Sequence, residues 1–136
     1  YGHRRGKDKP RRGSDMKLEQ ARRFALSLPE AIEAPHHEAS SFRVGGKIFA
    51  TLGYPDHRCA VVMLTPQDQD LLVRDYPKAF SPVAGKWGAS GSTTVTLRSP
   101  TKRAVTLALD AAWRKRAPKR AIANRHDRRI HQSSGE

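Results

Sequence analysis

The stretch Ser41-Phe42-Arg43-Val44-Gly45-Gly46-Lys47-Ile48-Phe49-Ala50-Thr51-Leu52 sets two β-prone runs on either side of a Gly-Gly pair that can take the positive φ angles of a tight hairpin turn. With Gly45 and Gly46 as the loop, Val44 faces Lys47 and Phe42 faces Phe49, so the two rings share one side of the ribbon. Arg43 and Ile48 share the other. An isolated hairpin is marginal in water, so the Phe42/Phe49 side requires helices to cover it, and amphipathic segments elsewhere supply them. A slip of one residue would instead turn Ile48, Ala50 and Leu52 inward.

Upstream, Leu18, Ala21, Ala25 and Leu28 recur at helical spacing, which predicts a first helix from Met16 to Leu28, ended by Pro29. Glu30 to Glu38 reads as a polar connector containing Pro35. Downstream, Tyr54 to Arg58 is a turn, and Cys59 to Leu64 is apolar enough for a central strand. Thr65-Pro66-Gln67-Asp68 has the form of a helix start, with Thr65 as N-cap and Pro66 in the first turn. Leu71, Leu72 and Tyr76 are expected to face the sheet. Ala79 to Val83, interrupted by Pro82, reads as an edge strand or an extended linker, Gly85 to Gly91 as a glycine-rich loop, and Thr93 to Arg98 as a strand. Val105, Ala108, Leu109, Ala112 and Trp113 form the best helical stripe in the chain, followed by Arg114, Lys115 and Arg116 at the negative end of the helix dipole.

The 136 residues allow one domain with tails. Residues 16–118 are assigned to that domain, 1–15 to a disordered basic arm, and 119–136 to a frayed or disordered basic tail. The chain begins at Tyr1, and Met16 is a candidate natural start. There is no apolar run of membrane-spanning length and no secretory signal, and the single cysteine, Cys59, excludes an intrachain disulfide, so a cytoplasmic protein is expected. The net charge of +13 divides into +4 over residues 1–15, +6 over 16–118 and +3 over 119–136. Such a field favours polyanions such as nucleic acid or acidic lipid surfaces, and carries no information on fold or sequence specificity.

These residues also resemble the MmcQ/YjbR family. The resemblance lies in Phe42 to Leu52, Phe80-Ser81-Pro82, Lys86-Trp87-Gly88, and Ala112-Trp113-Arg114 ahead of Ala117-Pro118, and it covers residues 18 to 120. It implies a two-layer α+β sandwich, an antiparallel sheet with helices on one face in the order α-β(3)-α-β(2)-α. That order agrees with the one read from the residues. The family is commonly described as DNA-binding, so the resemblance implies DNA binding with β-hairpin wings as the contact elements.

Catalytic constellations are missing: no nucleophile elbow, no P-loop, no dinucleotide glycine pattern. A non-enzymatic protein without cofactor is therefore expected. His36-His37 and His57-x-Cys59 match no zinc-site spacing and read as loop and strand residues. Arg43, Lys47, Arg58, Lys86 and Trp87 all fall on or beside hairpin ends and are the candidate DNA-binding residues. In that reading the hairpin cations and the basic tails meet phosphates, largely without regard to sequence, and Trp87 stacks on a base or enters a groove. The competing reading makes the cations a solvated rim and folds Trp87 back as a plug on the core, which its flanking glycines favour. A protein-interaction module using the open sheet for dimerisation or a partner's segment is the alternative function.

Overall fold

The computed structural model describes residues 17–36, 39–97 and 102–125. Its elements run α1 (Leu18–Ser27), β1 (Ile32–His36), β2 (Ala39–Val44), β3 (Lys47–Leu52), β4 (Cys59–Met63), α2 (Pro66–Asp75), β5 (Phe80–Pro82), α3 (Gly85–Ala89), β6 (Ser92–Thr96) and α4 (Lys102–Arg116), with a further helix, α5, over 119–125. The strands form one antiparallel sheet in the order β1-β2-β3-β4-β6-β5. The fold is the α+β sandwich expected from the sequence, with an additional edge strand, β1, and two additional short helices, α3 and α5.

The decisive hairpin turns at Gly45 and Gly46, with φ of 60° and 80°. Val44 pairs with Lys47 and Arg43 with Ile48, as the two-residue loop requires, but Phe42 pairs with Ala50. Phe49 is the extra residue of a β-bulge, so the predicted Phe42/Phe49 facing pair is corrected. The bulge resolves a conflict within β3. Strict alternation from the turn would bury Phe49 and turn Ala50 and Leu52 outward, whereas an inserted residue lets all three face the core. Phe42, Phe49 and Ala50 are fully buried, and Leu52 is nearly so.

β1 occupies what was expected to be a polar connector. Its Pro35 excludes a central position but not an edge, where a missing N–H faces no neighbour. The other edge, β5, ends in Pro82. Both borders of the sheet therefore carry a proline that resists strand addition. β4 is central, as its apolar composition implied.

The helices cover one face. α1 and α4 lie over β3, with α4 reaching β4, and α2 sits against β5 and α4. The α4 stripe is buried as predicted, and Ala104 joins it. Trp113 is fully buried, and its indole N–H donates to the Pro29 carbonyl at 2.9 Å, which ties α4 to the chain leaving α1. α2 starts as predicted, with the Thr65 hydroxyl accepting from the Asp68 N–H. Its inward face differs from expectation: Leu71 is exposed, and Gln69 is buried in its place. Gln69, Leu72, Val73 and Tyr76 follow the i, i+3, i+4, i+7 pattern from which Leu71 departs.

The chain stays ordered past Pro118. In α5, Ala121 is fully buried, and the Arg125 guanidinium lies 5.2 Å from the centre of the Trp113 ring while pairing with Asp110. Residues 119–125, in the segment expected to be a frayed or disordered tail, are thus helical and packed on α4. The expected N-terminal arm (1–15) and the rest of the tail (126–136) lie outside the described residues, as does the second residue of the His36-His37 pair. No helix among the described residues is long and apolar enough to cross a membrane.

Candidate functional site

Antiparallel pairing assigns each candidate residue to one of two ends of the sheet. At the upper end are the Gly45-Gly46 turn, the exit of β4 at Leu64, and α3 between β5 and β6. At the lower end are the turn from Gly53 to Arg58 and the starts of α1 and α4. Lys47, Lys86 and Trp87 stand at the upper end, with Arg43 one residue below on β2. Arg58 stands at the lower end, beside Asp56 at 3.9 Å, so the structure separates it from the other four. The Asp56 carboxylate accepts from the Arg58 N–H at 2.8 Å, a bond that holds its pKa below the usual carboxylate range. Burial raises the pKa of the neighbouring Cys59 thiol.

The two upper turns are built differently. The β2–β3 turn lies against the end of α4: a Cβ on Gly45 would sit 3.0 Å from the Pro118 ring, and Arg116 Nε donates to the Ile48 carbonyl at 3.2 Å. This hairpin is docked on its own domain and is no free wing. Lys47 is nonetheless exposed at its corner, with no ion-pair partner among the described residues.

The segment expected to be a glycine-rich loop is the five-residue helix α3 with its flanks. A Cβ at Gly88 would overlap the Val83 carbonyl, and one at Gly91 would overlap the Leu64 carbonyl, so only glycine allows the chain to pass at these two points. Gln69 Nε2 reaches across from α2 to the Gly88 carbonyl (3.0 Å), the Ser92 carbonyl (3.2 Å) and Thr93 Oγ1 (3.0 Å). From α4, Lys115 Nζ donates to the Leu64 carbonyl at 2.8 Å and the Ser90 carbonyl at 3.3 Å. Burial, with the Arg116 charge adding to it, lowers the Lys115 pKa. Lys115 pins this segment rather than offering a free charge.

On this pinned backbone Trp87 projects into solvent, 71% exposed. The expected plug on the core is therefore corrected. Position 88, buried and without a side chain, faces inward instead, and Leu64 at the same end of the sheet is fully buried. Lys86 is exposed beside the indole and has no ion-pair partner among the described residues.

Sequence reasoning missed Gln69 and Lys115, the two side chains that hold the site in shape. The basic run Arg114-Lys115-Arg116 was a visible signal at a helix end. Its members prove to be engaged individually: Arg114 with Asp110, Lys115 and Arg116 with backbone carbonyls. Among the described residues no three His, Cys, Asp or Glu side chains gather to hold a metal ion.

The chain is thus a small α+β domain whose six-stranded antiparallel sheet is covered by helices on one face and shows two glycine-bearing turns, each with a lysine, at one end. A family model, YjbR, matches residues 26–115, which include both turns and most of α4. The chain belongs to the YjbR family. A similar solved structure is the crystal structure of Deinococcus radiodurans protein DR2400, with the family-model domain DUF419, at a TM-score of 0.60 and 17% identity over 76% of this chain and 80% of that one. At that identity the likeness concerns the fold. No curated protein matches this chain.

Proposed function

We propose that this domain binds nucleic acid through the upper end of its sheet, contacting the phosphate backbone without regard to sequence. The supporting observation is the grouping there of Lys47, Lys86 and Trp87, all exposed and with no ion-pair partner among the described residues. Three strand spacings of about 4.8 Å separate β3 from β5, so Lys47 and the α3 segment stand roughly 10–15 Å apart along one edge, a span that a single backbone can follow. Arg43 lies next to this edge, and Arg58 has no part in it. The docked β2–β3 turn makes the interface a rigid edge instead of a pair of moving wings. The net charge of +13 adds long-range attraction.

Of the alternative reading, a protein-interaction module using the open sheet for dimerisation or a partner's segment, the form that adds a partner's strand at a sheet edge has less support. Both edge strands contain proline, and β5 is only three residues long. The reading is non-enzymatic and requires no cofactor.

Titration of the full chain with duplex DNA at several salt concentrations tests the proposal. Each neutralised phosphate contributes about −0.9 to the slope of log affinity against log salt, so an edge engaging several phosphates gives a slope steeper than about −2. A slope near zero, or no binding at low salt, contradicts it.

A further inference from the structure

Leaving an indole in water forfeits the stabilisation that burial would bring, and the chain commits an unusual amount of structure to keeping Trp87 there. Gly88 seats the backbone on the Val83 carbonyl, Gln69 holds the Gly88 carbonyl, Ser90 Oγ donates to the Lys86 and Trp87 carbonyls at 3.2 and 3.0 Å, and Lys115 holds Ser90. The residue that bears the exposed ring is thus held by the local Ser90 bonds and by bonds to its flanks from two other parts of the fold, α2 and α4. Such preorganisation lowers the ordering cost of binding.

The surroundings narrow the choice of ligand. Its exposed chain neighbours Ala84, Gly85, Lys86, Ala89 and Ser90 are small or polar, and none is a large apolar side chain that would extend the ring into a protein-binding patch. No aromatic ring contact to Trp87 exists among the described residues. A single flat ring next to a lysine suits a ligand that brings one flat ring and one adjacent anion.

We infer that Trp87 is a stacking platform for an unpaired base, with Lys86 on the neighbouring phosphate, so that the preferred partner is single-stranded nucleic acid. In a continuous duplex each base face is already occupied by its neighbours and is closed to the indole. A base in a single strand presents its face at small cost, and stacking on an aromatic side chain tolerates any base. This inference rests on the nucleic-acid reading above and specifies its substrate.

The test uses the full chain and its own fluorescence, since Trp87 and Trp113 are the two tryptophans and Trp113 is fully buried. Three probes of equal phosphate count are titrated: an oligothymidylate, a duplex, and an abasic strand that keeps the phosphates and lacks the bases. The inference predicts that oligothymidylate quenches the Trp87 share of the emission and binds about 5- to 100-fold tighter than the abasic strand. Trp87→Ala should abolish that preference without shifting the melting temperature, and Trp87→Phe should restore part of it. Equal binding of oligothymidylate and the abasic strand by the unaltered chain would overturn stacking while leaving phosphate binding intact. Failure to bind all three would overturn both readings. A blue shift with anionic vesicles but with none of the strands would assign the indole to a membrane surface and overturn the inference as well.

Discussion

The Gly45-Gly46 turn and the Gly85–Gly91 segment lie at the same end of one sheet, each carries glycines and a lysine, and they orient their aromatic residues in opposite directions. In the first, glycine supplies positive φ for the reversal, the flanking Phe42 and Phe49 point into the core, and the turn rests on Pro118. In the second, Gly88 and Gly91 permit close passage over other backbone, and the aromatic residue, Trp87, points out. One turn therefore builds the fold and the other displays a side chain. The difference lies less in composition than in what each glycine is needed for.

That comparison can be broken first at the core side. Phe49→Ala should cost about 3–5 kcal/mol in chemical denaturation, since it empties a fully buried aromatic site at the bulge. A variant that melts like the parent would mean that the bulge does not place Phe49 in the core.

The glycines sharpen it next. Gly88→Ala forces a Cβ onto the Val83 carbonyl and should cost about 3 kcal/mol, whereas Gly46→Ala meets no atom within 4 Å and should cost about 1 kcal/mol, from its positive φ alone. Equal losses, read from unfolding midpoints, would erase the distinction between close passage and turn geometry.

Trp87→Ala gives the smallest effect, within about 0.5 kcal/mol, because an exposed ring contributes little to folding. A destabilisation of more than about 2 kcal/mol in the same measurement would show the indole to be packed against the domain after all.

Much of the fold was legible because its signals are local. The α4 stripe, the Thr65 cap and the Gly-Gly reversal are each specified by residues close in sequence, and each appears where expected. The bulge was not legible, because two registers for β3 satisfy the hydrophobic pattern about equally and the core chose an insertion that serves both. β1 lacked an alternating pattern: Ile32 is 66% exposed, and its pairing with β2 depends on the tertiary setting rather than on its own residues. At the site, Lys47, Lys86 and Trp87 could be singled out by type, but their common end follows from strand order. Gln69 acts across 19 to 24 residues and Lys115 across 25 to 51, separations at which a sequence pattern carries no signal. The outward course of Trp87 follows from the buried backbone at position 88, which the sequence shows only as a glycine.

The central claim is that the upper end of the sheet, and not charge in general, receives the polyanion. It is tested most directly by removing two charges from either end and measuring the salt dependence of DNA binding. Lys47→Ala with Lys86→Ala should flatten the slope of log affinity against log salt by about two units, one for each phosphate that is no longer neutralised. Lys17→Ala with Lys102→Ala, at the helix starts of the lower end, should leave the slope nearly unchanged with the same net charge removed. Equal flattening by both pairs would contradict the account and reduce the attraction to net charge alone.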